Sequence, residues 1–529
     1  MTAAAHHVDR ILVVDFGSQV SHLICRRCRE TGVYSELRSC VTPLAEMQSF
    51  APKGVILSGG PNSVYEPESP HVPEGFWKWV EDKNLPVLGI CYGLQEMVHA
   101  LGGKVESHHR REYGRTALSY PGETRHHIFD GCNPHSVVWM SHGDKCTALP
   151  DKFHAIATSE NSEFAAIAHE TRPLIGVQFH PEVTHTEEGT KIIRNFCCAV
   201  AGLPEGAWNM ELFAEEEIVR IRKLVGDRPV IGAVSGGVDS TVVAALLTKA
   251  VGKQFHPFLI DTGMMRLDEC QEVLKRLTGE IEGLNLKVID RSAEFFEALK
   301  GVSEPETKRK IIGKNFIDSF EKAVADMGLK DQNCFLLQGT LYPDVIESTS
   351  YRGPSTTIKT HHNVGGLPEK MRMDLLEPLR LLFKDEVRAL GRQLGLSPVS
   401  IDRHPFPGPG LAIRIMGEAT PEHAIMLRAA DHIFIEELRN AGVYNDVGQA
   451  FVVLMPGVRS VGVMGDQRTY EHVCCLRAVQ TTDFMTADWC RLDYDLLGKV
   501  SNRIINEVKG INRVCYDVSS KPPATIEWE

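Results

Sequence analysis

At 529 residues, with 43% hydrophobic and 24% charged residues, the chain has ordinary globular composition and material for about three to four domains of roughly 150 residues each. A formal net charge of −12 excludes broad electrostatic adhesion to nucleic acid or anionic membranes, so any anion site must be a local pocket. The opening MTAAAHHVDRILVVDFG has neither a basic nor a long apolar region, and no apolar run reaches bilayer length, so a cytoplasmic location is expected, with the scattered cysteines reduced rather than paired.

Over the first 200 residues, short β-branched runs at 11–14, 54–57, 87–90 and 174–179 alternate with amphipathic stretches. That alternation predicts an α/β domain with a largely parallel sheet. Cys25 and Cys28 form a CxxC, but it falls in an expected helix and no second CxxC completes a zinc set, so both are expected to be packing residues. The histidine pairs at 6–7, 108–109, 126–127 and 361–362 have no metal-site partners at suitable spacing. The apolar strand expected at 85–90 runs directly into Cys91, and a helix is expected over 94–101 with Gly102 and Gly103 as its stop. Gly89-Ile-Cys91-Tyr-Gly93 thus carries the spacing of a strand-to-helix elbow, which exposes a nucleophile at a helix N-terminus and favours the thiolate. The N–H of Tyr92, following the nucleophile, and that of Gly59, in the SGGP turn at 58–61, are the expected oxyanion donors. In an extended chain His180 and Glu182 share one side, so Glu182 can orient His180 as the base for Cys91. These residues resemble the class I glutamine amidotransferases over residues 9–200, with GICYGLQ carrying the nucleophile and HPE the base and its orienter. Thr2 speaks against the other amidotransferase class, which uses an N-terminal cysteine.

The pattern lapses at AGLPEGAWNM, placing a boundary near 205–215, and an acidic helix over 211–224 leads to a new strand at 229–234. Ser235-Gly236-Gly237-Val238-Asp239-Ser240 then lies between that strand and a helix over 241–250, where N–H groups and the helix dipole favour phosphate. The loop lacks the lysine and spacing of a P-loop. It resembles the pyrophosphatase loop of enzymes that split ATP between the α and β phosphates, with Asp239 as a magnesium ligand or, alternatively, a helix N-cap. Asp261 closes the next strand, 255–260, at the edge where adenine or ribose contacts are expected. After Ile401, DRHPFPGPGLAIR breaks regular structure, and the remainder reads as α+β, with a helix over 421–441 and strands at 450–455 and 474–478.

An amidotransferase joined to such an ATP domain resembles the glutamine-hydrolysing GMP synthase family over essentially the whole chain. HPFPGPGLAIR, TTDFMTADW and YDVSSKPPATIEWE are its most specific segments. The resemblance implies a class I amidotransferase α/β domain over 1–205, a parallel-sheet ATP pyrophosphatase domain of the adenine nucleotide alpha hydrolase type over 206–402, and an α+β dimerisation and XMP-binding domain over 403–529. It implies a ligase of GMP biosynthesis that uses glutamine, ATP, XMP and Mg2+ with no tightly bound organic cofactor, acts without nucleic acid or membrane, and forms a homodimer. Carried over motif by motif, Arg309, Gln449, Lys521, Ile526 and Glu527 are the expected XMP contacts, and Lys359 a lid lysine. Cys474, Cys475 and Gln467 depart from the family pattern without touching those roles. The alternatives are another amidotransferase-fed ligase, which would lack HPFPGPG and KPPATIEWE, and a regulatory protein, which would have lost Cys91, His180, Glu182 or Asp239.

Overall fold

Four short runs, Arg10–Asp15, Gly54–Leu57, Val87–Ile90 and Leu174–Val177, bury nearly every side chain, as strands covered on both faces by helices must. The computed structural model describes residues 9–122, 125–329, 332–347, 373–464, 467–481, 484 and 486–529. Within these the chain forms two compact units, one of residues up to Glu216 with Leu341 to Glu347, the other of Glu217–Thr340 with the later segments. His6, His7, Lys359, His361 and His362 lie outside the described residues.

In the first unit a seven-stranded sheet runs in the order Tyr34–Ser39, Arg10–Asp15, Gly54–Leu57, Val87–Ile90, Leu174–Val177, Ala166–His169, Phe153–Ala157. The first five are parallel and the last two antiparallel. Helix Ser21–Glu30 buries Ile24, Cys25 and Cys28 on its inner face. The CxxC is therefore core, and all fourteen cysteines are free. The strand expected over 174–179 ends at Val177, although Gln178 N still donates to Ala165 O at 2.9 Å in register with the neighbouring strand. An antiparallel ribbon, Lys104–Ala117 with Val137–Ala148, completes the unit. Tyr342, on the helix Tyr342–Glu347, accepts from Leu37 N at 2.5 Å under the guanidinium of Arg29.

The second unit holds a parallel five-stranded sheet in the order Lys287–Asp290, Phe255–Asp261, Val230–Ala233, Phe335–Leu337, Asp374–Leu376. Chain order reverses beside Val230–Ala233, which puts a ligand crevice at its carboxyl end. Beyond it, Gln449–Met464 and Gln467–Gln480 pair antiparallel, Asp488–Trp489 and Ile511–Tyr516 extend the sheet, and helices Pro421–Asn440 and Tyr494–Glu507 cover it. Thr420 and Asp493 cap these helices through side-chain oxygens, the role such residues play at helix starts. The Pro- and Gly-rich break after Ile401 is no loose linker. All five residues of the turn Gly410–Arg414 are buried, and Leu411 N donates to Met264 O at 2.7 Å. A Cβ at Gly410 would lie 2.4 Å from Met264 O, so only glycine lets the chain pass so close. One buried cluster consequently runs from Phe258, Phe295 and Phe320 through Leu411 to Phe434, Leu454 and Leu476.

Candidate active sites

The first unit places Cys91 at the carboxyl end of the sheet, at φ 51° and ψ −103°, between strand Val87–Ile90 and helix Tyr92–Ala100. Non-glycine residues reach positive φ only when the surroundings force it, and such strain gathers at active sites. The flanking glycines make the turn possible. A Cβ at Gly89 would stand 2.6 Å from Gly93 O, and one at Gly93 would stand 2.3 Å from Leu57 O. Cys91 Sγ lies 3.8 Å from Ser141 O and accepts from Gln178 Nε2 at 3.6 Å. Gln95 Nε2 donates to Asp144 O at 3.2 Å and faces Gln178 Oε1 at 3.4 Å. Gln95 closes the GICYGLQ motif and Gln178 stands two residues before HPE, but spacing alone gave neither a task.

His180 Nδ1 meets Glu182 Oε1 at 2.8 Å, with both side chains buried. The expected pairing forms, though on a turn beyond the strand rather than along an extended segment. His180 N bonded to Trp139 O at 3.0 Å and Thr186 Oγ1 to His180 O at 2.6 Å fix that turn. Burial by itself would lower the imidazole, but Glu182 and the Cys91 sulfur outweigh it and raise His180 to about 11. The imidazolium is thereby held beside the Cys91 sulfur at neutral pH. Gly59 stands at the site as well, since a Cβ there would lie 3.2 Å from His180 Cε1. Tyr92 is the first helical residue, its hydroxyl donating to Pro70 O at 2.7 Å.

In the second unit the 235–240 loop leaves strand Val230–Ala233 and enters helix Val238–Val251. The helix starts earlier than the expected 241, so Val238, Asp239 and Ser240 form its first turn and Gly237 caps it. Gly236 has φ 75°, and a Cβ there would fall 2.5 Å from Val273 Cγ2. Ser235 Oγ and Ser240 Oγ lie 3.1 Å apart across the mouth. The turn after Phe335–Leu337 approaches from the other side of the crevice, with a Cβ at Gly339 placed 3.8 Å from Asp239 Cβ. Asp261 accepts from Gly263 N at 2.9 Å, which shapes the turn leaving its strand. Both oxygens of Asp239 accept from Lys384 Nζ at 2.7 Å. No sequence motif singles out Lys384. Its one signal is a cation opening a helix, Lys384–Gln393, against the dipole. No group of three or more acidic, His or Cys side chains suited to a metal occurs among the described residues. With both oxygens held by Lys384, Asp239 would fit magnesium only where nucleotide phosphates bring the other ligands and draw Lys384 away.

Four of the five expected XMP residues converge in the same unit. Glu527 accepts from Arg414 Nε and Nη2 at 3.1 and 2.8 Å and from Gln449 Nε2 at 2.8 Å. Arg309, on helix Pro305–Asp326, donates to Glu529 O. Ile526 sinks its side chain among Phe451, Val453, Cys475 and Val479, and its carbonyl accepts from Arg477 Nε at 3.4 Å. Lys521 is anchored separately, pairing with Ala487 and donating to Phe484 O at 2.8 Å.

The class-I glutamine amidotransferase family model matches residues 12–200, the GMP synthase C terminal domain model residues 436–528, and the asparagine synthase model residues 216–305. The chain is 55% identical over 530 residues to the glutamine-hydrolysing GMP synthase of Eremothecium gossypii, covering 98% of each chain. The Saccharomyces cerevisiae protein of the same name is 54% identical over 524 residues, again with 98% of each chain covered.

Proposed function

The chain belongs to the glutamine-hydrolysing GMP synthase family, and from that premise we propose how its two units divide the work. It is a ligase that hydrolyses glutamine to glutamate and ammonia, adenylates XMP at O2 with ATP, and aminates the product to GMP, releasing AMP and pyrophosphate. Cys91 Sγ attacks the glutamine amide carbon while the N–H groups of Gly59 and Tyr92 hold the oxyanion. His180 gives its proton to the departing nitrogen, then takes one from the water that cleaves the thioester, and Glu182 keeps the ring oriented.

The xanthine O2 leaves poorly, and adenylation converts it into AMP. The 235–240 loop cradles the phosphates, Asp261 meets the adenosine part, and Arg309, Gln449, Lys521, Ile526 and Glu527 hold XMP, with Lys359 closing over both. Asp239 and Lys384 flank the pyrophosphate, and Asp239 would hold magnesium arriving on ATP, which would supply charge neutralisation there. The amidotransferase part is 1–205, the synthetase part 206–402 and the XMP-binding part 403–529. The enzyme works in the cytoplasm as a homodimer; no helix among the described residues is long and apolar enough to cross a membrane.

The observation that carries this reading is the Cys91, His180 and Glu182 constellation in a chain that also has the 235–240 loop at a sheet switch point. The test is a product assay with glutamine, ATP, magnesium and one acceptor at a time. XMP yields GMP with AMP and pyrophosphate in equal amounts; amination of IMP or UTP at the same rate would overturn the assignment.

A further inference from the structure

Among the described residues, the lysine and arginine side chains with no exposed surface are Lys308, Arg414 and Arg477, and all of them face the 517–529 segment. A charge taken wholly out of water is strongly unfavourable unless its hydrogens are taken up by acceptors. Arg477 spends its donors on Ser519 O, Thr525 O and Ile526 O beside Asp517. Arg414 clasps Glu527. Lys308 has three N–H groups, and they meet Ala412 O at 3.1 Å, Ile415 O at 2.7 Å and the Glu529 carboxylate. The second Glu529 oxygen takes Gly417 N at 3.3 Å. One ammonium thus ties the helix Pro305–Asp326 to residues 412–417 and to Glu529.

The adjacent residue on that helix is Arg309, an expected XMP anchor, and two positions before Glu529 stands Glu527, another. We propose that Lys308 and Glu529 are a positioning pair for the nucleotide acceptor: they set the distance between Arg309 and the Gln449–Glu527 group without touching the nucleotide. The proposal rests on the XMP reading given above. A flexible 526–529 segment would have to be ordered by each incoming substrate molecule, whereas a segment clamped beforehand spares that cost in binding. Neither partner can be exchanged alone without leaving the other charge buried and unanswered.

Steady-state kinetics of the full-length enzyme decide it, with Glu529→Gln and Lys308→Met compared against Arg309→Ala and Lys521→Ala. For Glu529→Gln the KM for XMP rises on the order of tenfold or more. The KM for ATP and glutamine hydrolysis stay at wild-type values, while the melting temperature falls because the buried Lys308 ammonium loses its counter-charge. Lys308→Met behaves alike, and combining the two adds little further loss because both remove one interaction. If Lys308→Met does not fold, Glu529→Gln decides alone. An unchanged KM for XMP in Glu529→Gln, with Arg309→Ala impaired, overturns the positioning pair and leaves the XMP site standing. So does a parallel rise in the KM for ATP, which marks general loosening rather than a displaced XMP site. Unchanged XMP kinetics in both Arg309→Ala and Lys521→Ala overturn the XMP reading itself.

Discussion

In the proposed glutamine hydrolysis the Cys91 sulfur, its strained backbone and the raised imidazole serve one reaction, which is separable from the rest of the protein. Cys91→Ala abolishes glutamine-dependent GMP formation, while synthesis from high ammonium salt, which bypasses the thiol, stays largely intact; loss of both activities in a folded variant would refute the assignment. The pH response of His180 has a defined sign. Its folded value, about 11, lies above the ordinary histidine value near 6.5, so the proton it holds stabilises the folded unit fully below that ordinary value. This contribution is lost as pH rises through the folded value. Glu182→Gln removes the carboxylate charge that does most to raise the imidazole, and burial then works unopposed by that charge. The alkaline limb of kcat/KM for glutamine therefore moves to lower pH, with kcat falling about 10²-fold or more; an unmoved limb would show that Glu182 only fills space. That Cys91 would sit on an elbow and His180 beside Glu182 was legible because each chemistry admits few residue types. The turn that brings His180 and Glu182 together was not, since it depends on Trp139 from a distant strand as well as on Thr186 further along the loop. Lys384 was hidden for the same reason: its partner Asp239 is 145 positions away.

Glycines do at element scale what the catalytic groups do at residue scale, holding backbone where no side chain fits. Gly236→Ala forces a left-handed conformation, costing about 1–2 kcal/mol, and drives a Cβ to 2.5 Å from Val273 Cγ2. The loop must move, so pyrophosphate release falls with either nitrogen source while glutamine hydrolysis continues. Full adenylation by a folded Gly236→Ala enzyme would show that the loop tolerates another shape. Strands were read closely because continuous apolar runs have one use in a parallel sheet: the run at 87–90 is the strand Val87–Ile90. Ends were read less well. Helix Val238–Val251 begins three residues before the expected start, because Gly and Ser in a phosphate loop look like turn residues whether or not they lie in a helix.

Across the whole molecule, the reach of the second core was the feature least visible in the sequence. The Pro- and Gly-rich stretch after Ile401 has the composition of a linker, but Gly410 passes against Met264 and joins both sides in one apolar cluster. Composition reports local stiffness, whereas that contact joins residues far apart in the chain. The remaining whole-molecule question is association. Val461 and Tyr470 are direct cross-strand partners of the Gln449–Met464 and Gln467–Gln480 pair, so their side chains share one face, and Val463 joins them two positions on. The three are 55%, 59% and 75% exposed in the order Val461, Tyr470, Val463. For the proposed homodimer, these three exposed apolar side chains on one face of the sheet are the candidate contact between two copies. Replacing Val461 with glutamate puts a charge into that contact and, across a twofold axis, sets it near its own copy. Sedimentation of the wild-type enzyme gives about twice the 58.7 kDa chain mass at micromolar concentration, the usual range for a specific interface, and Val461→Glu shifts it to the monomer. Glutamine hydrolysis survives in the variant because the thiol site lies in the other unit. A wild-type protein that sediments as a monomer refutes the homodimer outright, and a Val461→Glu protein that remains dimeric places the interface on another face.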